Sequence, residues 1–258
     1  MRIIGAEERA ALEADPAKVE RSRFAPYLRA FLAARSRFAE EQLAAAIERG
    51  VRQYVLLGAG LDTFAYRDPY SATGLRVFEV DHPSTQAWKR ERLREGGIAI
   101  PSSVVFVPVD FERQTLAASL GEAGFDPGSP AMFAWLGVTM YLTAQGFEDT
   151  LDFIASMPAG SSVVFDYALS RSQQGLFQRV VFELVAARVR AAGEPWRTTF
   201  VPAELVRRME AKGFVHVQDL DDARLNERYF RDRTDGLRVG SLARMLSAEV
   251  GPKSARDT

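Results

Sequence analysis

Gly58, Ala59 and Gly60 follow directly on the apolar run Gln53-Tyr54-Val55-Leu56-Leu57. Glycines placed there let the backbone turn sharply after a buried strand and let a ligand approach the main chain. Acids come next. Asp62 sits in the turn, Glu79 and Asp81 close the second apolar run, and Asp110 stands before Phe111 after the third. An acid about 20 residues beyond such a turn is placed to accept hydrogen bonds from ribose hydroxyls. Asp110 has the acceptor that an exocyclic adenine amine needs, and Phe111 offers a ring face or edge. The chemistry implied is the binding of a nucleoside. Each feature also has a plain structural reading: a glycine turn joining strand to helix, an exposed acidic strand end, and an N-cap at Asp110 with Phe111 in the core.

The turn discriminates between nucleosides. A dinucleotide fingerprint wants a third glycine at position 63, where this chain has Thr63, and Asp62 would repel a pyrophosphate. S-adenosylmethionine (SAM) carries no phosphate, and its ammonium group welcomes nearby oxygen. Both departures favour SAM over NAD(P). An NAD(P)-linked oxidoreductase is the alternative reading, although Tyr141-Leu142-Thr143-Ala144-Gln145 ends in glutamine and no Tyr-x-x-x-Lys pair is present to move protons. A non-catalytic SAM-binding protein is a third.

The elements that must position these residues alternate. Short apolar runs predict strands over Gln53–Leu57, Arg76–Val80, Val104–Val107, Ala131–Leu136, Ser162–Tyr167, Val215–Asp219 and Ala243–Glu249. Helical periodicity falls between them at Pro83–Glu95, Thr143–Ser156 and Pro202–Lys212, with Thr143 as an N-cap. Residues 16–49 read as helical, with a second helix from Phe38 to Arg49. Strands alternating with helices imply right-handed crossovers and a mostly parallel sheet. Ligands of such sheets bind beyond the carboxyl ends of the strands, where Gly58, Asp81, Asp110, Gly137 and Asp166 all fall. A helical stretch over Ser172–Ala192 exceeds one crossover, so residues 168–202 are expected to form a helical cap on a single domain spanning 1–258. The apolar side of that stretch, with Leu176, Val180, Leu184 and Val185, is a candidate cover for a pocket or a partner subunit.

The bulk numbers exclude several classes. The 258 residues are 47% hydrophobic and 26% charged, and 33 Lys and Arg against 34 Asp and Glu give a formal net charge of -1. That balance opposes a dedicated nucleic-acid binder. With no cysteine, disulfides, thiolate metal sites and thiol nucleophiles are impossible, and His82 and His216 are the only imidazoles. No metal site is expected. No apolar run approaches the roughly 20 residues of a membrane span, and the start is too acidic for a signal peptide. A cytoplasmic protein without a membrane partner is the expectation.

Taken together, Leu56-Leu57-Gly58-Ala59-Gly60-Leu61-Asp62-Thr63 with Tyr66-Arg67, then Phe78-Glu79-Val80-Asp81-His82-Pro83, then Val109-Asp110-Phe111, resemble the leucine carboxyl methyltransferase family. The likeness is to its bacterial branch of SAM-dependent O-methyltransferases, which includes polyketide carboxyl O-methyltransferases. Ala34-Arg35-Ser36-Arg37-Phe38 resembles that branch's basic motif, and Trp135-Leu136-Gly137-Val138-Thr139-Met140-Tyr141 and Gly193-Glu194-Pro195-Trp196-Arg197 add to it. The resemblance covers roughly residues 20 to 250. It implies a Rossmann-like class I SAM-dependent methyltransferase fold, with a seven-stranded sheet whose last strand is antiparallel. It implies that Gly58, Ala59, Gly60 and Asp62 hold the methionine part of SAM and that Asp81, more than Glu79, holds the ribose. It implies Asp110 and Phe111 at the adenine, and an arginine of the pair Arg35 and Arg37, with Arg37 preferred, at the SAM carboxylate. A guanidinium grips a carboxylate in a bidentate pair, which makes that last role physically sensible. Many members carry a cofactor-touching glutamate where this chain has Leu136 before Gly137, so that contact must come from elsewhere.

Methyl transfer from a sulfonium is an in-line displacement in which orientation carries much of the rate. A carboxylate acceptor arrives ionised and needs no general base, whereas a phenol gains from one. The shortage of bases favours a small-molecule carboxylic acid. Tyr141 and Asp166 are the candidate catalytic groups. Tyr141, Tyr167, Trp196 and Arg197 are candidate acceptor contacts, with Arg197 to hold an acid and Trp196 to pack on an apolar body.

Overall fold

The long first helix shows how this sequence builds its layers. In the computed structural model, which describes residues 25–252 apart from 68, 111–112 and 192–194, a single helix α1 runs over Ala25–Glu48. Ala30, Ala34, Phe38, Leu43 and Ala46 form one buried stripe along it, with the spacing that keeps apolar side chains on one helical face. No glycine or proline interrupts that stripe, so the break expected at Phe38 does not occur. The part of the expected helix before residue 25 lies outside the described residues.

After α1 the chain alternates as the periodicity predicts. The order is β1 (Gln53–Leu57), β2 (Arg76–Asp81), α2 (Pro83–Glu95), β3 (Val104–Pro108), α3 (Leu116–Glu122), β4 (Ala131–Trp135), α4 (Ala144–Ser156), β5 (Ser162–Ala168), α5 (Leu176–Ala191), α6 (Pro202–Ala211), β6 (Phe214–Leu220), α7 (Asp222–Tyr229) and β7 (Ala243–Val250). The strands form one sheet in the order β3-β2-β1-β4-β5-β7-β6. β1 to β5 pair in parallel and β7 runs antiparallel to both β5 and β6. This is the class I SAM-dependent methyltransferase architecture.

Two apolar layers sandwich the sheet. On one face Val55, Phe78, Phe133 and Phe165 meet α3, α4 and α6 through Leu120, Phe147 and Met209. On the other Leu56, Val77, Ala134 and Val164 meet α1 and α7 through Phe38, Leu43 and Leu225. Because strand side chains alternate between faces, Val77, Glu79 and Asp81 face the α1 side. Tyr167 faces away from it with Phe165, while its neighbour Asp166 faces α1.

The segment between β5 and α6 leaves and returns at one place. Ser170 N donates to Phe200 O at 2.8 Å and Phe200 N to Ala168 O at 3.0 Å. Between these points α5 projects with Leu176 and Val180 exposed at 82% and 59%, so these residues of its expected covering side face solvent. The side chains of Leu184 and Val185 lie outside the described residues. No helix among the described residues is long and apolar enough to cross a membrane.

Candidate cofactor and active site

The sheet order reverses direction between β1 and β4, and at their carboxyl ends a cleft of about 440 Å³ opens. A crevice at this switch point is where open α/β sheets bind ligands. Two glycine lips form it. Gly58, at φ +68°, has no room for a side chain, because a Cβ there would stand 2.4 Å from Val138 Cγ2. Gly137, at φ +73°, needs glycine for its left-handed backbone, and its Cβ would stand 2.6 Å from a guanidinium nitrogen of Arg35, the movable end of a flexible side chain. Gly58 thus combines a left-handed backbone with close approach, and Gly137 combines it with a contact that Arg35 could yield.

The loop after β1 is held from below and from the side. Gly58 N and Ala59 N donate to Val80 O at 2.9 and 3.0 Å. Asp81 accepts from Gly60 N at 2.6 Å and, through its other oxygen, from His82 N at 2.7 Å. Asp62 accepts from Phe64 N at 2.7 Å and starts the short turn Phe64–Tyr66. The expected carboxylates therefore reach the loop, and Asp81 already spans the distance from the second strand to the glycine turn.

Arg35, Ser36, Gly58, Ala59, Gly60, Asp62, Arg67, Leu136 and Gly137 line the cleft. Arg35 Nη1 lies 3.3 Å from Asp166 Oδ2, and Asp166 Oδ1 accepts from Gly137 N at 2.5 Å. Burial pushes the Asp166 carboxyl above its ordinary range, with Arg35 and the Gly137 amide pulling the other way. The pair joins α1, β5 and the β4 turn in one contact. Arg37, the arginine preferred from the sequence, lies elsewhere. Its side chain is 68% exposed and pairs with Glu41 at 2.8 Å. Helical phase accounts for this, since residue 35 falls four after Phe31 and four before Ala39, on the buried stripe, and residue 37 does not.

The glycine lips, the loop carboxylates and the cation form a set that suits an amino-acid-bearing nucleoside. The profile of the family described as leucine carboxyl methyltransferase matches residues 2–155. The chain belongs to the leucine carboxyl methyltransferase family. YktD of Bacillus subtilis, provisionally named a SAM-dependent methyltransferase, is 36% identical over 207 residues, covering 79% of this chain and 67% of that protein. A relative from Parafrankia with the same provisional activity is 38% identical over 162 residues, covering 62% of this chain and 49% of its own length. The chain thus spans between about half and two thirds of these relatives. Among solved structures, a DUF574 family protein from Streptomyces avermitilis superposes with a TM-score of 0.58 at 17% identity, covering 95% of this chain and 89% of that one. A phosphoethanolamine N-methyltransferase from Haemonchus contortus, solved with SAM, gives 0.53 at 15% identity, covering 83% and 53%. These structural likenesses speak for the fold. The family places the chain among SAM-dependent methyltransferases, and the NAD(P) reading falls away.

Other sequence candidates of this family member are placed as follows. Asp110 stands just beyond β3, with its carboxylate 3.7 Å from Arg113 and its amide donating to Gln114 Oε1 at 3.1 Å. It is not among the residues that line the cleft, and Phe111 lies outside the described residues. Glu79 does not open to a ligand: it is 0% exposed, with Lys89 Nζ at 2.8 Å and the Tyr66 hydroxyl at 3.2 Å. Tyr167 is also buried. It donates to Asp219 at 2.9 Å on the face away from Asp166, outside the cleft. His82 caps α2, with its ring nitrogen 2.7 Å from Ser84 Oγ. His216, exposed on the edge strand β6, adopts φ 52° beside a register shift.

The turn that carries Tyr141 is held by the segment that carries Trp196 and Arg197, 55 positions later in sequence. Arg197 N donates to Met140 O at 2.7 Å, and Thr198 clamps Met140 O at 3.2 Å and Leu142 O at 2.6 Å. The Trp196 ring packs 4.9 Å from Phe182, and its indole nitrogen is buried without a partner among the described residues. The clamped turn continues directly from the Gly137 lip. Arg35, Ser36 and Arg67 are the cleft residues that the glycine motif alone does not reveal. Arg67 is held by Glu40 at 2.5 Å.

Proposed function

We propose that the whole protein binds SAM in the β1–β4 cleft and methylates an oxygen of a small molecule, with a carboxylate as acceptor. The observation that carries the reading is the Arg35–Gly137 contact. It sets a guanidinium against a glycine lip at the switch point, where a carboxylate-bearing ligand meets both a cation and bare backbone.

Arg35 would hold the cofactor's carboxylate, the 58–62 loop would receive its methionine part, and Asp81 would accept from its ribose hydroxyls. Asp110 and Phe111 are proposed for the adenine. Bound SAM supplies an activated methyl group on a sulfonium. The chain's task is to orient the acceptor oxygen and exclude water. No imidazole or lysine lines the cleft among the described residues, which fits an acceptor that needs no proton removed. Asp166 is engaged on both oxygens, so its proposed part is to hold Arg35 rather than to act as a base. Tyr141, on the turn after the Gly137 lip, with Trp196 and Arg197 on the segment bonded to that turn, is the proposed acceptor wall, with Arg197 exposed at its edge to meet an anion.

The test is the alkaline lability of the product. The full chain, incubated with methyl-labelled SAM and a panel of aliphatic and aromatic carboxylic acids and phenols, is expected to yield label that base releases as methanol, as methyl esters do. Label that survives base would place the methyl on a phenol or nitrogen and overturn the carboxylate assignment.

A further inference from the structure

Glu79 and Asp81 project from the same face of β2, and each takes hold of one end of the loop that forms the cofactor cleft. Asp81 accepts from Gly60 N at 2.6 Å, and Glu79 Oε2 accepts from the Tyr66 hydroxyl at 3.2 Å. The same oxygen lies 2.8 Å from Lys89 Nζ on α2, and that nitrogen stands 5.2 Å from the Tyr66 ring centroid. Gln86, one turn earlier on α2, donates to Glu79 O at 2.6 Å. One carboxylate therefore ties β2, α2 and the turn Phe64–Tyr66 together directly behind the glycine loop. Glu79 and Lys89 are 0% and 1% exposed, so neither can touch a ligand in the cleft.

A buried ion pair is weak as a stabilising device, because desolvating both charges offsets most of their attraction, and apolar residues of the same volume often do as well. What it supplies is fixed geometry, and here the fixed object is the far leg of the ligand loop. Among the described residues Glu79 Oε1 has no hydrogen-bond partner and Lys89 Nζ meets Oε2 as a close charge without hydrogen-bond geometry, so the directional hold on the carboxylate is the Tyr66 hydroxyl on its other oxygen. We infer that Tyr66, acting through Glu79 and Lys89, is a positioning residue that sets the Gly58–Asp62 loop and thereby cofactor affinity. The inference rests on the SAM-binding reading of the cleft.

Tyr66→Phe removes one hydroxyl and keeps the ring. Titration calorimetry of the full chain with SAM and with S-adenosylhomocysteine, beside a ligand-free melt, reads the two consequences separately. Loss of one hydrogen bond of ordinary strength predicts a rise in both dissociation constants of about fivefold, with a ligand-free Tm shift below about 2 °C. Glu79→Gln should weaken binding too, and the double variant should bind within about twofold of Glu79→Gln alone, since both changes act through one contact. Unchanged affinity in Tyr66→Phe, a Tm loss without an affinity loss, or full multiplication of the two effects would each overturn the inference. Should Glu79→Gln fail to fold, Tyr66→Phe decides by itself. Wild-type protein that binds neither ligand removes the SAM reading, whereas wild-type binding with an unaffected Tyr66→Phe removes only this inference.

Discussion

Arg35 Nη1 sits 3.3 Å from Asp166 Oδ2 across 131 positions of sequence, with its guanidinium lying against the backbone of Gly137. The arginine is 22% exposed and the carboxylate 1%, so the pair stands at the wall between cleft and core. Removing Arg35 deletes a cation that faces the cleft and also strands a buried charge. Arg35→Ala is expected to weaken SAM binding by about 1.5–3 kcal/mol, roughly 10–100-fold, and to lower stability by about 1–3 kcal/mol after allowance for partial exposure. Arg37→Ala should do neither, because Glu41 keeps Arg228 and Tyr229, each at 2.8 Å. Calorimetry on both variants reads the difference.

Glycine requirement separates close approach from backbone strain. Gly58→Ala would force a Cβ into Val138, whereas a Cβ at Gly50, also at positive φ, meets nothing within 4 Å. Gly50→Ala should cost about 1 kcal/mol for its left-handed backbone alone. Gly58→Ala should cost about 2–4 kcal/mol and abolish measurable SAM binding. Denaturant midpoints with matched titrations check both.

Asp166 makes stability depend on pH in a definite sense. Its carboxyl is raised in the folded protein, chiefly by burial. The folded state then holds the proton more tightly than the unfolded state, so this group's contribution is full in acid and is lost as pH rises through the raised value. Asp166→Asn removes that dependence. The difference in Tm, variant minus wild type, is expected to move in favour of asparagine as pH increases from about 4 to about 7. A difference that moves the other way would mean that Arg35 outweighs burial.

Much of this was legible before any coordinates. Strand positions, their alternation with helices and the acids at strand ends follow from periodicity that the final sheet preserves. The preference for Arg37 over Arg35 passed over a signal that was present in the helical phase set by Phe31 and Ala39, which puts residue 35 and not 37 on the buried stripe. Tyr167 was harder. Every residue of β5 is buried, so no alternation of polar and apolar marks which face meets the cleft. Glu79 was misplaced for a similar reason: its strand parity with Asp81 is correct, but Lys89 reads as one more charge on a solvated helix until α2 packs and buries it. The pairing of Arg197 and Thr198 with the turn around Tyr141 depends on the return of the chain at Phe200, which no local pattern announces.

Tyr167 gives the corresponding negative test. Its hydroxyl bonds to Asp219 at 2.9 Å within the core. Tyr167→Phe should lower stability by about 1 kcal/mol and leave cofactor affinity and acceptor KM unchanged. A raised acceptor KM with intact stability would return Tyr167 to the substrate.

The central claim is that the β1–β4 cleft holds SAM through Arg35 and the two glycine lips. Titration calorimetry of the wild-type chain and Arg35→Ala with SAM, S-adenosylhomocysteine and NAD tests it most directly. Saturable binding of both sulfur nucleosides at one site, no binding of NAD, and a loss of roughly 10–100-fold in Arg35→Ala are expected. Binding of NAD in their place, or equal SAM affinity in a folded Arg35→Ala, would contradict it.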